Sequence, residues 1–368
     1  MKILILSCNT GEGHNSCARA ISEELERKGD WGYIADGLAF LSTGTSKFVS
    51  GWHTRLYRYF PRLYGKGYEY AEKHPMNIKK HTAAYRMIRR GAKRLRKVIK
   101  AGGYDGVICT HLFPAMMVTG LVKKGTVTIP ACFVATDYTA SPGCEKVSLP
   151  TITPHPDLTG EFQAVGIPAE NILAYGIPVR SMFTEKTDKA EAKRKAGLDP
   201  ERLHMVIMGG SMGCGPMEDV LAEIAAGMPE NIELTVICGT NKQTAEKLRR
   251  RHGENPRVHI RGYVKDMSLM LDSADLYLTK AGGISTTEAA IKGVPLVLAD
   301  AVGESRNLEF FVEHGAAVTA KTEELGRLCV SLLEDRRRLD AMAQAIERLR
   351  IKGAAEKICD YMRQRVGK

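Results

Sequence analysis

Short apolar runs rich in Val, Ile and Leu recur along the whole chain, and between them apolar positions return at three- and four-residue spacing. Runs of the first kind read as strands buried on both faces, and stretches of the second as helices with one face in a core. They predict strands at 2–7, 33–36, 106–110, 132–136, 151–153 and 172–175. A second set follows at 205–209, 234–238, 258–262, 276–279, 296–299 and 317–319. Helical patterns of roughly 10–20 residues separate most of them, the alternation that parallel βαβ units require. Two glycine-rich strand-to-helix turns, at 10–14 and 209–215, each open a new series. The pattern predicts an α/β protein of two doubly wound domains, 1–178 and 179–335, with helices over 336–368 placed to pack back on the first. Ligands of such domains sit at the C-terminal ends of the strands, which places them in the cleft between the two.

One stretch breaks the rhythm. From 43 to 102 there is helical pattern and no strand. Phe48, Trp52, Leu56, Tyr59 and Phe60 share one helical face, while Ala84, Met87, Ile88, Leu95, Val98 and Ile99 make an apolar stripe further on, with Arg and Lys opposite. Charge sharpens this picture. The 368-residue chain carries a net charge of +11, and the window 73–104 holds eleven Lys and Arg and no acid. A local excess of this kind selects an anionic partner surface. Aromatics beside a basic amphipathic helix point to a membrane interface, with Trp52, Tyr59, Phe60, Arg89, Arg90, Arg94 and Lys97 as the contact residues. The competing reading is a helix with its apolar stripe in the core and a solvated basic face.

Composition excludes several classes. Hydrophobic residues make up 44% and charged residues 26%, as in globular proteins, and no apolar run approaches the roughly eighteen residues of a span. The opening run at 2–6 is too short for a secretory leader and passes straight into a glycine-rich loop. Nine scattered cysteines with no CxxC pair suit buried thiols in a reducing cytoplasm rather than a disulfide or zinc framework.

Two turns carry candidate chemistry. Thr10-Gly11-Glu12-Gly13-His14 leaves the first strand and opens a helix, so backbone N–H groups face the strand ends. Asp36 ends the next strand where a dinucleotide ribose partner would stand, but Ser16 and Cys17 occupy the region of the third glycine, which leaves that fingerprint incomplete. His14 at the mouth of the turn is better suited to take a proton, or else simply caps the helix. Thr279-Lys280-Ala281-Gly282-Gly283-Ile284-Ser285-Thr286-Thr287-Glu288 runs from a buried strand through two glycines into a helix. Gly282 and Gly283 allow close backbone approach, with Ile284 next in the donor-binding turn, Ser285 and Thr286 can donate to phosphate, and the helix N-terminus offers partial positive charge for a diphosphate. Glu288, one turn in, can bind ribose hydroxyls.

Taken in order, these segments resemble the GT-B glycosyltransferases, two Rossmann-like domains, and within them the monogalactosyl- and processive glucosyl-diacylglycerol synthases, a family with relatives of the peptidoglycan N-acetylglucosaminyltransferase. Gly11-Glu12-Gly13-His14 resembles its N-terminal Gly-x-Gly-His, Ala135-Thr136-Asp137-Tyr138-Thr139 its threonine-aspartate motif, and Gly176-Ile177-Pro178-Val179 its interdomain segment. Gly210-Ser211-Met212, Cys238-Gly239-Thr240-Asn241, Gly282–Ala289, Gly293-Val294-Pro295 and Glu304-Ser305-Arg306-Asn307 resemble its donor-domain loops. The resemblance implies an inverting transfer of a hexose from a UDP-sugar to a lipid, with diacylglycerol the expected acceptor. His14 would be the base, Asp137 would orient it or hold the acceptor, Gly262-Tyr263-Val264 would hold the uracil through backbone groups, and Glu304 and Asn307 would lie against the donor. The chain has no Asp-x-Asp motif, so neither a metal nor another cofactor is expected. The expected partners are the UDP-hexose, the lipid acceptor and an anionic membrane surface, with no nucleic acid. The expected location is peripheral, on the inner face of the plasma membrane.

Two segments depart from the family pattern. Ala140-Ser141-Pro142-Gly143-Cys144 stands where a His and a Trp are common, and Ala301-Val302-Gly303-Glu304 replaces Pro-Gly-Gln-Glu. Acceptor and sugar identity are left open by these changes, and N-acetylglucosamine transfer to another lipid-linked acceptor is the alternative. An oxidoreductase would need a complete GxGxxG, and a nucleic-acid-binding protein would need a recognisable motif beside its basic window.

Overall fold

A computed structural model describes residues 1–41, 83–213, 215–299 and 305–367 of the chain. It divides into two compact units, Met1–Ser181 with Ile351–Lys368, and Met182–Arg350. The crossing falls three residues beyond the expected one.

The first unit is built on six parallel strands, β1 (Lys2–Ser7), β2 (Trp31–Asp36), β3 (Gly106–Cys109), β4 (Ala131–Val134), β5 (Thr151–Ile152) and β6 (Ile172–Leu173), in the order β2-β1-β3-β4-β5-β6. Helix α1 (Glu12–Arg27) joins β1 to β2, α2 (Ala83–Gly102) precedes β3, α3 (Leu112–Val122) joins β3 to β4, and α4 (Thr159–Ala164) precedes β6. From β1 the chain moves outward to β2 and then returns to the other side as β3, so the topological switch point lies between β1 and β3. The interior strands are continuous apolar runs because helices cover both faces. β2 differs: at the sheet edge its Trp31, Tyr33 and Ile34 are exposed.

The last helix, α13 (Ala354–Val366), also belongs to this unit. Its Ile358, Cys359 and Met362 are buried with Ile3, Ile21 and Leu25. Lys28–Asp360 and Arg363–Asp30 ion pairs fringe the contact. Burying an Ile or Met side chain contributes about 1.5–3 kcal/mol, against about 0–1 for an exposed ion pair, so the apolar face fixes this helix.

The second unit repeats the plan with β7 (Leu203–Met208), β8 (Ile232–Ile237), β9 (Val258–Arg261), β10 (Leu276–Lys280), β11 (Leu296–Ala299) and β12 (Ala317–Val318), ordered β12-β11-β10-β7-β8-β9, all parallel. Its helices are α5 (Lys189–Ala196), α6 (Met217–Ala225), α7 (Lys242–His252), α8 (Met267–Ser273), α9 (Gly283–Lys292), α10 (Ser305–Glu313), α11 (Leu325–Glu334) and α12 (Arg336–Arg348). Its switch point lies between β7 and β10. Leu339 and Met342 of α12 are buried in this unit's core with Leu325, Leu332 and Leu333 of α11. Residues 336–348 therefore stay with the second unit, and only the chain from Ile351 onward joins the first.

Polar groups stiffen the interior. His204 on β7 lies between the Ser273 and Thr235 hydroxyls at 3.0 and 2.9 Å, and burial pushes its pKa down to about 3, so it is neutral in the fold. The buried Lys292 ammonium pairs with Asp272 at 2.8 Å. The eight described cysteines are all buried, as expected of structural thiols.

Candidate active site

In the second unit, the turns after β7 and β10 flank the switch point, where the sheet opens between diverging connections. The β7 turn interlocks with the turn after β8. The Thr240 N–H donates to the Ser211 carbonyl at 2.9 Å, and the Asn241 side-chain amide donates to the Gly213 carbonyl at 3.1 Å. The backbones approach so closely that a Cβ on Gly213 would lie 2.0 Å from the Cys238 carbonyl oxygen, and one on Gly239 would lie 2.2 Å from that of Ser211. Both glycines have positive φ, +59° and +53°. The segment Gly210-Ser211-Met212 is thereby fixed beside β10, and the stem of Lys280 lies across Gly210.

Helix α9 begins on Gly282 with no side-chain cap, leaving N–H groups of its first turn for a ligand. Ile284 and Ser285 are partly exposed there. Thr286 behaves otherwise than expected. It is fully buried, and its hydroxyl is turned back to the Gly282 and Gly283 carbonyls at 3.0 and 3.1 Å. A threonine in a first helical turn has carbonyls of its own helix within reach, and here the hydroxyl is bonded to them. Burial pushes the Tyr277 phenol well above its usual range; the nearby Glu288 carboxylate adds to the effect, while Ser285 and Lys280 oppose it. Glu288, Lys280, Ser285 and Tyr277 thus share one neighbourhood beneath the helix N-terminus. Gly262, Tyr263 and Val264 follow β9, with Tyr263 exposed, and Asn307 is buried in the first turn of α10. Glu304 lies outside the described residues.

In the first unit, α1 likewise starts on a glycine, Gly11, with no side-chain cap, and His14 stands in its first turn. The His14 ring is held across the switch point. Its Nδ1 lies 3.0 Å from the Thr110 carbonyl oxygen and 3.0 Å from the Thr136 hydroxyl. In return the Thr110 hydroxyl donates to the His14 carbonyl at 3.1 Å. A carbonyl only accepts, so Nδ1 carries the proton and Nε2 the lone pair of the neutral ring. Beside it the His111 ring packs edge-on at 4.5 Å between centroids. Its Nδ1 accepts from the Phe113 N–H at 3.1 Å, which fixes the opposite tautomer.

Asp137 follows β4, two residues before a loop strapped by Glu161 of α4, which accepts from the Thr139 hydroxyl at 2.5 Å and the Ala140 N–H at 2.8 Å. Burial, with Glu145 and Asp137 adding to it, raises the Cys144 thiol to about 12. Asp36 is occupied locally, accepting from the Leu38 N–H at 3.0 Å and the Asn9 amide at 3.1 Å, which leaves it as a turn residue rather than a ribose ligand.

Two family patterns match the chain. Residues 14–179 match monogalactosyldiacylglycerol (MGDG) synthase, and residues 204–358 match the glycosyltransferase family 28 C-terminal domain. A processive diacylglycerol β-glucosyltransferase of Staphylococcus carnosus is 28% identical over 97% of this chain and 91% of its own length. Its Bacillus licheniformis counterpart is also 28% identical, over 97% and 93%. The two patterns, one in each half, mark the chain as a UDP-sugar glycosyltransferase. Among solved structures, Acinetobacter baumannii MurG superposes with a TM-score of 0.67 at 16% identity over 99% of each chain. A Neisseria meningitidis UDP-GlcNAc 2-epimerase bound to UDP-GlcNAc reaches 0.61 at 13% over 99% of this chain and all of that one. At these identities the likeness is one of fold, GT-B, and an epimerase on the same scaffold shows that fold alone does not fix the chemistry.

For a glycosyltransferase the separation of parts is apt. A uniquely tautomerised histidine lies at one set of strand ends, and an uncapped helix N-terminus with a lysine and a carboxylate lies at the other. Sequence reasoning missed Lys280 and Thr136 as site residues. Both stand inside segments already singled out, 279–288 and 135–139, without a role of their own there.

The basic helix α2 is corrected in part. Leu95 and Ile99 of its apolar stripe are buried, and Gly91 is packed so closely that a Cβ would lie 2.7 Å from the Met117 sulfur and 2.8 Å from Leu41. Those members of the stripe are spent on the core, while Met87 and Val98 of the same stripe are exposed. Arg94 donates to the Phe40 and Leu41 carbonyls at 3.2 and 2.8 Å, so its guanidinium is tied to the turn that follows β2. Arg89, Arg90 and Lys97 remain on an exposed basic face. Trp52, Tyr59 and Phe60 lie outside the described residues. Among the described residues no helix is long and apolar enough to cross a membrane.

Proposed function

We propose that this protein transfers a hexose from a UDP-sugar to the hydroxyl of diacylglycerol, inverting the anomeric centre, at an anionic membrane surface on the cytoplasmic side. The observation that carries the reading is the His14 ring, whose Nδ1 faces the Thr110 carbonyl, so that Nε2 is the proton acceptor. The acceptor hydroxyl gives its proton to Nε2 as its oxygen bonds to the anomeric carbon, and the bond from that carbon to the UDP oxygen breaks on the opposite face. One base and one stabilised leaving group suffice for such a displacement.

In this reading the diphosphate lies at the start of α9, where N–H groups, Ser285 and Lys280 meet the developing charge, and Glu288 takes the ribose. The loops Gly210-Ser211-Met212 and Gly262-Tyr263-Val264 hold the remainder, with Asn307 near the sugar. No metal is needed because the helix terminus and the lysine supply positive charge. The exposed Arg89, Arg90 and Lys97 bring the enzyme to its lipid by electrostatic attraction.

The test is incubation with UDP-glucose, UDP-galactose or UDP-N-acetylglucosamine and vesicles of phosphatidylglycerol and diacylglycerol, with products read by mass spectrometry. A β-linked hexosyl-diacylglycerol is expected, and His14→Ala should lower kcat by about 10²–10⁴ while leaving UDP affinity unchanged. Transfer of N-acetylglucosamine alone, or a His14→Ala enzyme above a tenth of wild-type kcat, would overturn it.

A further inference from the structure

The role of His14 depends on which nitrogen holds the proton and how the ring is turned, and both are set by groups outside its own helix. One is the Thr110 main-chain carbonyl, 3.0 Å from Nδ1. The other is the Thr136 hydroxyl at the same distance, two residues beyond the end of β4 and 122 positions along the chain. We infer that Thr136 is a positioning residue for the base. Its hydroxyl oxygen is the second acceptor of a shared Nδ1–H bond, fixing the ring plane so that Nε2 meets the acceptor hydroxyl. This rests on the reading of His14 as the base.

A single hydrogen bond to Nδ1 leaves the ring free to rotate about that contact, whereas two acceptors on one N–H, from β3 and β4 sides, restrict its plane. The two sides are themselves clamped. The Thr110 hydroxyl donates to the His14 carbonyl at 3.1 Å, and the His111 ring rests edge-on against His14 at 4.5 Å. Thr136 is buried, at 7% exposure, so its hydroxyl faces little competition from bulk water. When Nε2 takes the acceptor's proton, the Nδ1–H stays where it was, and its two oxygens then face an imidazolium. The bond therefore strengthens as charge develops and contributes more in the transition state than in the ground state.

Thr136 stands directly before Asp137, the residue a sequence reading turns to first as the orienting group. The distances give the neighbouring threonine a defined contact with the ring.

The experiment compares Thr136→Val, Thr136→Ser and His14→Ala with wild type, on whichever UDP-hexose the enzyme turns over with diacylglycerol vesicles. Val keeps the shape and loses the hydroxyl; Ser keeps the hydroxyl and loses the methyl. Thr136→Val should lower kcat at least tenfold with KM for the UDP-sugar unchanged, displace the acid limb of the kcat profile, and leave the melting temperature near wild type. Thr136→Ser should recover most of the loss. A Thr136→Val enzyme with wild-type kcat and acid limb overturns the inference, as does Thr136→Ser falling as far as Val, which would make the methyl's packing the cause. If either happens while His14→Ala is inactive, the base stands and only the positioning role fails. An active His14→Ala enzyme removes the base itself.

Discussion

Gly239→Ala tests whether the interlocked turns hold the donor site. The new methyl would lie 2.2 Å from the Ser211 carbonyl oxygen, on a backbone at φ +53°. The left-handed conformation costs an alanine about 1–2 kcal/mol. Relieving the overlap moves the turns apart by about an ångström and breaks the 2.9 Å bond from the Thr240 N–H to Ser211, worth about 1 kcal/mol. The sum is about 2–3 kcal/mol, or roughly thirty- to 150-fold in an equilibrium constant. It has two outlets. If the turns yield, Gly210-Ser211-Met212 shifts and UDP affinity falls by up to that factor. If they hold, the strain remains in the native state and lowers the melting temperature of the second unit by about 5–10 °C. Calorimetric titration with UDP and a thermal scan together capture both. We expect most of the effect in UDP affinity, because turns at a sheet's edge yield more easily than strands. Wild-type affinity together with an unchanged melting temperature would refute the argument.

Three further outcomes follow. His204 is neutral in the fold with its pKa pushed down to about 3 by burial, against 6.5 when unfolded. The unfolded chain therefore binds a proton that the native one does not, and stability falls as pH drops from 6.5 toward 3, by about 1 kcal/mol per unit. Urea midpoints of His204→Gln should show a shallower acid slope than wild type, and parallel slopes would remove this source. Replacing Arg89, Arg90 and Lys97 by Gln, with Arg94 kept for its tie to residues 40 and 41, should weaken flotation with phosphatidylglycerol vesicles by roughly fivefold per charge at low salt. UDP binding should be unaffected; unchanged flotation would return the helix to a solvated role. Activity should survive EDTA, and a loss restored by magnesium or manganese would show that a metal is needed.

Much of the architecture can be read along the chain because its signals are local. Continuous apolar runs mark buried parallel strands, and paired glycines before a helix mark turns where ligands approach. What the sequence hides is where a side chain spends its polar atoms. Thr286 looks like a phosphate ligand by spacing, yet its hydroxyl is turned to carbonyls of its own first turn. Arg94 looks like its neighbours on a basic face, yet main-chain carbonyls some fifty residues earlier claim it. The contact of Thr136 with His14 depends on strand order, and β1, β3 and β4 are separated by whole connections. The same applies to Lys280 over Gly210, which requires β7 and β10 to be neighbours.

The buried thiols have a use beyond packing. Cys8, Cys17, Cys109, Cys132, Cys144 and Cys359 lie in the first unit, and Cys238 and Cys329 in the second. Burial holds most of these thiols above their usual pKa, so they are screened from alkylating reagents by both access and protonation. Each reacts only when its surroundings open. The mass added over time under a maleimide therefore resolves into one rise of six labels and another of two, apart from Cys214, which lies outside the described residues. Coincident rises would mean that the units open as one; separate rises would give each its own rate of opening. The native protein thus carries a built-in clock for the breathing of its two halves, without a single engineered cysteine.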